Sequence, residues 1–432
     1  MPDPDKILND AEERFLERDL EDAEDLLGEL EEWALSAFQK GRRAAMRLLC
    51  ADYSGQVEDL GREISRIVEE NETDEAFVSG LGIQFSELGE YSLAEVVLAG
   101  QCYRRPDLAK SWYNLGIVQS RDGRPEAAVE ALSQALTLDH RMVQAAFELG
   151  ECYSAMGEYE RAQEAYNAYL AVEPEDGDAW ISLGIAASDG LDYERAVQAF
   201  ERAFRLTPHS VPLFYNWTIT AARAGDKASM GWCIENLQED APSDPRTELA
   251  MGFFAELEGP CEEALLHFTR AVDLSLAGDE YWDMAFYCAA RFLQYATRIK
   301  ATDRAEAMVE RVFKEELFDQ DILDCLRELH GRQMETAKDF RVDVEVPLLE
   351  MGSDLEGELP ERSTPQAYSR MYRVFADSEE EASRSALVFE ERCGGFTARL
   401  SEQGVEKVGT AKKVYSGVWW RMPEPVYYSL GE

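Results

Sequence analysis

The stretch Gly177–Ser210, GDAWISLGIAASDGLDYERAVQAFERAFRLTPHS, has the residue spacing of two helices that pack against each other. Its diagnostic positions are Trp180, Leu183 and Gly184 in the first helix, Ala196, Phe200 and Ala203 in the second, and then Pro208. The small residues let two antiparallel helices approach closely, and the large residues fill the space between them. Pro208 ends the second helix because proline has no amide N–H to donate. The stretch therefore predicts a helix pair.

The same pattern recurs at shifts of 34 residues, from Glu75 to Gly278, in six periods without an insertion. Earlier periods place Val78, Leu81, Gly82, Phe85, Ala94, Leu98 and Pro106, then Trp112, Leu115, Gly116, Ala128, Leu132 and Ala135, then Ala146, Leu149, Gly150, Tyr153, Ala162, Tyr166, Tyr169 and Pro174. Later periods place Phe214, Trp217, Met230, Ile234, Leu237 and Pro242, then Met251, Gly252, Ala264, Phe268 and Ala271. The period from Val211 departs most, because Trp217 and Thr218 replace the Leu-Gly pair.

This period and these residues resemble the tetratricopeptide repeat family. The resemblance implies a mainly α fold, a right-handed superhelix (an α-solenoid) of stacked helix pairs whose first helices line the concave side. Each pair leaves an apolar flank uncovered, so each pair needs a neighbour.

The pattern loosens at both ends of the array, and we expect four regions. Residues 1–74 are predicted to form acidic N-terminal capping helices, because residues 3–32 hold 14 acids and 3 bases with apolar residues at helical spacing. A partner-binding arm is the alternative for this segment. Residues 75–278 form the six repeats. Residues 279–338 are predicted to form an extended seventh pair, with its second helix around Arg304–Lys314, and a capping helix Gln320–Lys338.

Residues 339–432 are predicted to form a small α+β domain, for which a ferredoxin-like arrangement is one option. Alternating apolar residues predict strands at Phe340–Leu349, Ala367–Ala376, Phe396–Leu400 and Lys413–Met422, a helix at Ser378–Cys393 and a polar linker at Gly352–Pro365. This region contains no histidine, so a Ser-His or Cys-His nucleophile pair within it is excluded.

The net charge of -43 makes nucleic acid an unfavourable partner, since a phosphate backbone is bound by neutralising Lys and Arg. Adaptation to high salt is an equally good explanation of the acidity. The eight Cys and four His form no metal-binding or redox motif, so no metal and no cofactor are expected. The start of the chain lacks a signal-peptide pattern and no 18 apolar residues run together, which predicts no membrane insertion and a cytoplasmic location.

The family resemblance implies that positions two, five, six, nine, twelve and thirteen of each repeat face the groove. Position five holds Ser79, Tyr113, Phe147, Ile181, Tyr215 and Leu249; position six holds Gly80, Asn114, Glu148, Ser182, Asn216 and Ala250; position nine holds Ile83, Ile117, Glu151, Ile185, Ile219 and Phe253. Ten of the twelve residues at positions five and nine are apolar, which predicts a trough for an apolar partner segment. The alternative is that these side chains pack against neighbouring helices.

The two-carboxylate clamp of chaperone-binding relatives is absent, because Tyr113, Ile117, Gln144 and Glu148 stand in its places. Glu148 and Glu151 favour a basic residue on the ligand. Asn114 and Asn216 are candidates to bond a ligand's backbone, since a carboxamide both donates and accepts.

A second candidate surface is a C-terminal docking face that consists of Tyr415, Trp419, Trp420 and Arg421. Basic residues among aromatics can stack on single-stranded nucleic acid, but the acidity of the region favours a protein. The sequence thus predicts a non-catalytic scaffold or assembly factor that binds a protein or peptide segment. Self-association is left open. The alternative is a ligand-binding or catalytic C-terminal domain that the repeats deliver to its target.

Overall fold

A computed structural model describes residues 3–17, 19–30, 33–57, 59–259, 261–330, 333–347, 367–394, 399–415, 417–421 and 426–428. The chain divides into two compact units, residues 1–220 and 221–432. The division falls inside the first helix of the fifth repeat, Val211–Ala224. This is the repeat in which Trp217 and Thr218 replace the Leu-Gly pair.

Helices account for the described part of the first unit. The N-terminal ones are α1 (Pro4–Leu16), α2 (Leu20–Glu29), α3 (Ala37–Tyr53) and α4 (Leu60–Glu70). The repeats follow as α5 (Glu75–Glu87) with α6 (Tyr91–Arg104), α7 (Ala109–Arg121) with α8 (Pro125–Leu138), α9 (Gln144–Ala155) with α10 (Tyr159–Leu170), and α11 (Gly177–Asp189) with α12 (Tyr193–Leu206). Helix α13 (Val211–Ala224) begins the fifth repeat and crosses the division between the units. The predicted period therefore coincides with the helix pairs.

Glycine at position eight sets the distance between the two helices of a pair. A Cβ added at Gly116 would lie 2.6 Å from Leu132 Cγ, and one at Gly150 would overlap the ring of Tyr166. Gly82 and Gly184 face Leu98 and Phe200 in the same way. A side chain at position eight would thus displace the large residue at position 24, which is why the Gly and the large residue recur together.

Neighbouring repeats are joined mainly where the second helix of one repeat packs on the first helix of the next, as α6 does on α7, α8 on α9 and α10 on α11. Their first helices also contact each other. Helix α7 contacts α5 and α9, and α9 contacts α11. The Cys152 thiol donates to Ser120 Oγ at 3.6 Å, and the Thr220 hydroxyl donates to Ser188 Oγ at 2.9 Å, so in both cases a first helix bonds the first helix of the repeat before it at the same pair of positions. The fifth repeat keeps this packing, since Trp217 is buried and stacks on Phe200 with 5.9 Å between ring centroids.

The turn between the two helices of each repeat needs a left-handed residue at position 15. Gly89, Gly123, Gly157 and Gly225 have φ between 71° and 79°. The fourth repeat has Leu191 there instead, with φ 63° and a side chain that is 71% exposed. A Cβ in this conformation is close to the following carbonyl oxygen, so Leu191 is strained without gaining burial.

The N-terminal helices are part of the core of the first unit. Ile7, Leu8, Ala11, Phe15 and Leu27 are buried in a cluster that continues into the first repeats. The Arg42 side chain, 11% exposed, donates to Gln84 Oε1 at 2.6 Å and to Glu12 Oε2 at 3.1 Å. Its Nη2 also lies 3.6 Å from Glu87 Oε2. Arg42 thereby joins α1, α3 and α5, an arrangement typical of a cap on the array.

Helices α3 and α5 approach each other closely through two glycines. A Cβ on Gly41 would overlap the carbonyl of Phe77, and one on Gly80 would overlap the carbonyl of Phe38. Gly80 was expected to face the groove, and that expectation is wrong because α3 covers it.

The helices of the second unit begin with α14 (Lys227–Asp240), α15 (Pro245–Glu258) and α16 (Glu262–Leu276). A short 3-10 turn, Asp279–Tyr281, leads into α17 (Trp282–Arg298), and α18 (Thr302–Lys314) and α19 (Gln320–His330) follow. Helix α18 lies where the late second helix of the seventh pair was expected. The capping helix expected to reach Lys338 instead ends at His330, because residues from Gln333 pair with other strands.

The C-terminal strands form one antiparallel sheet. The strands are β1 (Gln333–Pro347), β2 (Ala367–Ala376), β3 (Arg399–Tyr415), β4 (Gly417–Arg421) and β5 (Val426–Tyr428), in the order β3-β1-β2-β4, with β5 paired to β2. Helix α20 (Glu379–Gly394) connects β2 to β3 and contacts β1, β2, β3 and β4. Ser378 Oγ accepts from the Glu381 amide at 3.3 Å, so Ser378 caps this helix.

Two expectations for this region need correction. The described sheet has a single β-α-β crossover, from β2 through α20 to β3 around β1, whereas a ferredoxin-like domain has two. The strands expected at Phe396–Leu400 and Lys413–Met422 are ends of a longer strand β3, plus the separate strand β4. Residues 401–412 are mostly polar, and the pairing of residues from Val405 onward with β1 holds this segment in an extended conformation. Residues 396–398 and the predicted linker at 352–365 lie outside the described residues.

An aromatic cluster attaches the sheet and α20 to the helices of the second unit. The Phe389 ring lies 5.0 Å from both Phe313 and Phe318 and 5.8 Å from Tyr372, measured between ring centroids. Arg392 of α20 donates to Glu310 of α18 at 2.7 Å. The C-terminal domain therefore packs on the helices that immediately precede it.

We expect Leu191→Gly to increase the free energy of unfolding by about 1 kcal/mol, because glycine adopts this φ without strain and little burial is lost. The reverse change at the equivalent position, Gly157→Leu, should decrease stability by a similar amount. Urea denaturation followed by circular dichroism measures both. If both substitutions changed the free energy of unfolding in the same direction, the conclusion that Leu191 is strained would be wrong.

We expect Arg42→Gln to destabilise the first unit by about 3 kcal/mol, because Glu12 and Glu87 would lose a largely buried cation. Arg62→Gln, at an exposed residue of α4, is the control and should change stability by less than about 0.5 kcal/mol. Thermal melts of the two variants compare them. If they melted together, the Arg42 contacts would not hold the cap.

Candidate functional site

The candidate site is the strip formed by groove positions of α7, α9, α11 and α13, all within residues 1–220. Its partly exposed members are Tyr113, Asn114, Ile117, Phe147, Glu148, Ile185, Tyr215, Asn216 and Ile219, together with the exposed Glu151. We refer to these ten residues as the first-helix strip. Most are half-buried, so the strip provides apolar surface that a partner could cover.

Two residues at positions predicted to face the groove are buried in the core instead. Ile181 is 5% exposed and Leu249 is 0% exposed. For these two residues the alternative of packing against neighbouring helices is right, because the helix pairs leave no open space around them. Neither can contact a partner without rearrangement.

Phe147 is held in place by two tyrosines of α10. The centroid of its ring lies 5.6 Å from that of Tyr166 and 5.3 Å from that of Tyr169, both edge-on. The Tyr169 hydroxyl donates to Asp176 at 2.7 Å, and this bond, with burial, raises the pKa of Tyr169 to about 12. From their spacing, Tyr166 and Tyr169 were expected only to pack between helices. The structure shows that their rings also contact Phe147 and so restrict its orientation.

Glu148 and Glu151 place two carboxylates on the strip, one turn apart on α9. Burial raises the pKa of Glu148, and the charge of Glu151 raises it further, while Arg121 opposes the shift. Glu151 Oε1 accepts from the Tyr166 hydroxyl at 2.6 Å. Within the described residues, no Lys, Arg or His lies within 4.0 Å of either carboxylate. The pair therefore carries negative charge that Arg121 offsets only in part and that no ion pair with a described residue neutralises.

Tyr113 lies on the α7 side of these carboxylates. Burial raises the pKa of Tyr113, and so does the charge of Glu148. The phenol therefore stays protonated and is available as a hydrogen-bond donor at neutral pH.

The two asparagines of the strip differ in their availability. Asn216 donates from Nδ2 to the Pro212 carbonyl at 2.8 Å, so one of its donors is occupied within α13. The Asn114 side chain makes no hydrogen bond within the part of the chain that the structure describes. Asn114 is accordingly the better candidate to bind the backbone of a ligand.

In the second unit, Phe253 belongs to an aromatic cluster that arginine side chains cover. Its ring packs edge-on against Phe268 at 5.8 Å, and the Arg291 guanidinium lies 5.0 Å above it. Arg291 and Arg298 both form ion pairs with Glu256. This part of the second unit thus differs from the first-helix strip, because its carboxylate is neutralised.

Strands β3 and β4 contain the predicted C-terminal docking face. Tyr415 ends β3, and Trp419, Trp420 and Arg421 lie in β4, where Arg421 is paired with Tyr372 and Trp420 with Arg373. The side chains of these four residues lie outside the description, so the docking face stays a prediction.

Cys393 lies near the end of α20, and burial raises the pKa of its thiol.

Tandem helix pairs with a glycine at their closest contact define an α-helical repeat scaffold. The family model described as tetratricopeptide repeat matches residues 121–184, which contain α8, α9, α10 and part of α11. This stretch of the chain therefore contains tetratricopeptide repeats. Proteins built from these repeats are generally scaffolds for protein interactions.

Solved structures of repeat proteins are similar to parts of the chain. MamA from Desulfovibrio magneticus RS-1 is 19% identical, covers 38% of this chain and 97% of its own, and has a TM-score of 0.35. PilF of Pseudomonas aeruginosa is 18% identical over 48% of this chain and 94% of its own, with a TM-score of 0.38. YrrB, described as a TPR protein with an unusual peptide-binding site, is 19% identical over 42% and 93%, with a TM-score of 0.34.

A comparison with curated protein sequences gave no match. None of the described helices is both long enough and apolar enough to cross a membrane.

We expect Glu148→Gln to raise the melting temperature at pH 7. A raised carboxyl pKa means that the folded state favours the protonated form, so this group's stabilisation is present below the ordinary pKa of about 4.3. That stabilisation is lost as the pH rises through the raised pKa, and Gln removes the loss. Calorimetry between pH 4 and 7 should show the difference from the unchanged protein shrinking toward low pH. Glu164→Gln, on the exposed face of α10, is the control. A lower melting temperature for Glu148→Gln would contradict the raised pKa.

Proposed function

We propose that this protein is a non-catalytic scaffold or assembly factor whose first-helix strip holds an apolar, basic segment of a partner protein. The carboxylate pair Glu148 and Glu151 carries this proposal, because neither forms an ion pair with a described residue. Half-burying a charge is costly unless a counter-ion is supplied, and Arg121 offsets the charge of Glu148 only in part and from a distance beyond 4.0 Å. A Lys or Arg from a partner would supply it.

The surroundings of the carboxylates define the rest of the segment. Tyr113 and Phe147 flank them with aromatic surface, and Ile117, Ile185 and Ile219 extend the apolar surface along the strip. Arginine suits such a site better than lysine, because its planar guanidinium pairs with a carboxylate and stacks on an aromatic ring at the same time. The matching segment has a basic residue between apolar residues, and Asn114 is placed to bond its backbone.

Binding should therefore depend on pH. A basic ligand attracts the ionised form of Glu148, and the raised pKa of Glu148 makes protonation set in at a higher pH than for an ordinary glutamate. Affinity should fall as the pH decreases toward that value.

We also propose a division of the chain into a cap (residues 1–74), six repeats (75–278), an extended seventh pair with its own cap (279–338) and a C-terminal domain (339–432). Because strand β1 begins at Gln333, the boundary before the C-terminal domain moves from residue 339 to Gln333. All eight cysteines are free thiols, which favours a reducing compartment such as the cytoplasm. The partner's identity is for the experiment to determine, and self-association is one of its outcomes.

The test is capture of partners on the immobilised full-length protein, followed by calorimetry with the captured segment. Glu148→Gln should weaken binding about tenfold or more, because a charge-assisted contact contributes about 1.5 to 3 kcal/mol. Glu164→Gln removes the same charge on α10, outside the strip, and should leave the affinity unchanged.

Phe147→Ala should also weaken binding, but its contacts with Tyr166 and Tyr169 mean that it will lower stability as well. Glu148→Gln therefore decides the matter, since its fold is expected to be at least as stable. Equal affinity for Glu148→Gln and Glu164→Gln would move the binding site away from the first-helix strip.

A further inference from the structure

The junction between the C-terminal domain and the preceding helices contains a cavity of about 300 Å³, separate from the first-helix strip. It lies between α18, α19, α20 and β4. Its floor is apolar and well packed, with Phe313, Leu326, Phe389 and Val418 each less than 9% exposed. Val388 stands at its edge and is 49% exposed. Its size is at the lower end of the range for ligand-binding pockets.

The charged groups of the lining are all of one sign. Four of its ten described residues are basic, namely Arg327, His330, Arg384 and Arg392, and none is acidic. In the whole chain, 86 acidic residues stand against 43 Lys and Arg. Basic residues without acids are therefore the reverse of the general composition, and they surround an apolar floor.

Each basic side chain already shares its charge with one acid outside the lining. Arg392 bonds Glu310 at 2.7 Å, Arg384 bonds Glu380 at 3.1 Å, His330 contacts Glu306 at 2.7 Å, and Arg327 pairs with Asp324. A guanidinium has five N–H groups, so these pairs leave donors over. The residual positive charge is small, which suits a ligand with a single negative charge better than a doubly charged phosphate.

Arg327 supplies an independent observation. Its side chain is 13% exposed, and its Nε atom is buried without a hydrogen-bond partner in the described part of the chain. A buried donor without an acceptor is unfavourable, and a ligand oxygen in the cavity would satisfy it. The guanidinium carbon lies 5.4 Å from the centroid of the Phe375 ring, which restricts the orientation of the group.

We propose that this cavity binds a small monocarboxylate with an apolar chain of about ten carbon atoms, a size that matches its volume. The carboxylate accepts from Arg327 and Arg392, and the chain covers Phe389, Val418 and Leu326. The ligand would then contact both the C-terminal domain and the helices α18 and α19, and so stabilise their contact.

The test is calorimetric titration of the full-length protein with decanoate and, separately, with the neutral 1-decanol, both below their aggregation concentrations. Decanoate should bind at one site and decanol at least tenfold more weakly, because only the carboxylate satisfies the arginine donors. Failure of decanoate to bind, or equal binding of decanol, would overturn the proposal.

Variants locate the site. Arg392→Gln should weaken decanoate binding about tenfold or more, and Val388→Trp, which fills the edge of the cavity from an exposed position, should abolish it. Arg311→Gln is the matched control, because Arg311 also joins one exposed acid, Asp273, but lies outside the lining. Unchanged binding in Val388→Trp, or an equal loss in Arg311→Gln, would place the ligand elsewhere and reject this cavity. Circular dichroism of each variant checks that it is folded.

Discussion

The close approach of two helices at a glycine is the constraint on which each repeat depends. Gly116 and Gly150 leave room for Leu132 and Tyr166, and a side chain at either glycine would push the helices apart. Because this contact fixes the separation within a pair, the remaining apolar residues face the neighbouring pair and not solvent. The Trp180 indole then donates to the Pro174 carbonyl at 2.9 Å, and the Trp112 indole to the Pro106 carbonyl at 3.1 Å, which ties the first helix of a repeat to the turn before it.

The same geometry creates the first-helix strip. Helices that are fixed by their glycine contacts cannot move to cover every apolar residue on the other side of the first helix, so Tyr113, Phe147 and Ile185 stay half-exposed. Glu148 lies among them, partly removed from water and next to Glu151. A surface that combines aromatic area with negative charge that is only partly offset is a poor surface to leave exposed but a good one for a basic, apolar segment.

Where the repeat ends, a different contact takes over. Among the described residues of the second unit, the sheet with α20, and not a further helix pair, covers α18 and α19 through Phe389, Phe313 and Phe318. A sheet and a helix do not match the surface of a solenoid as another repeat would, so the junction leaves a cavity. Arginines from α19 and from α20 line this cavity, so its rim is basic.

The sequence by itself determined the repeat, its frame and the helix pairs, because the contacts that define them lie within 34 residues and recur at equivalent positions. It also indicated the groove positions, of which Tyr113, Phe147 and Glu148 are accessible. Only the tertiary structure decided that Ile181 and Leu249 are buried, that α3 covers Gly80, and that residues 333–347 form a strand. These outcomes depend on contacts between residues far apart in the chain, such as the pairing of β1 with β3, and local spacing carries no information about such partners.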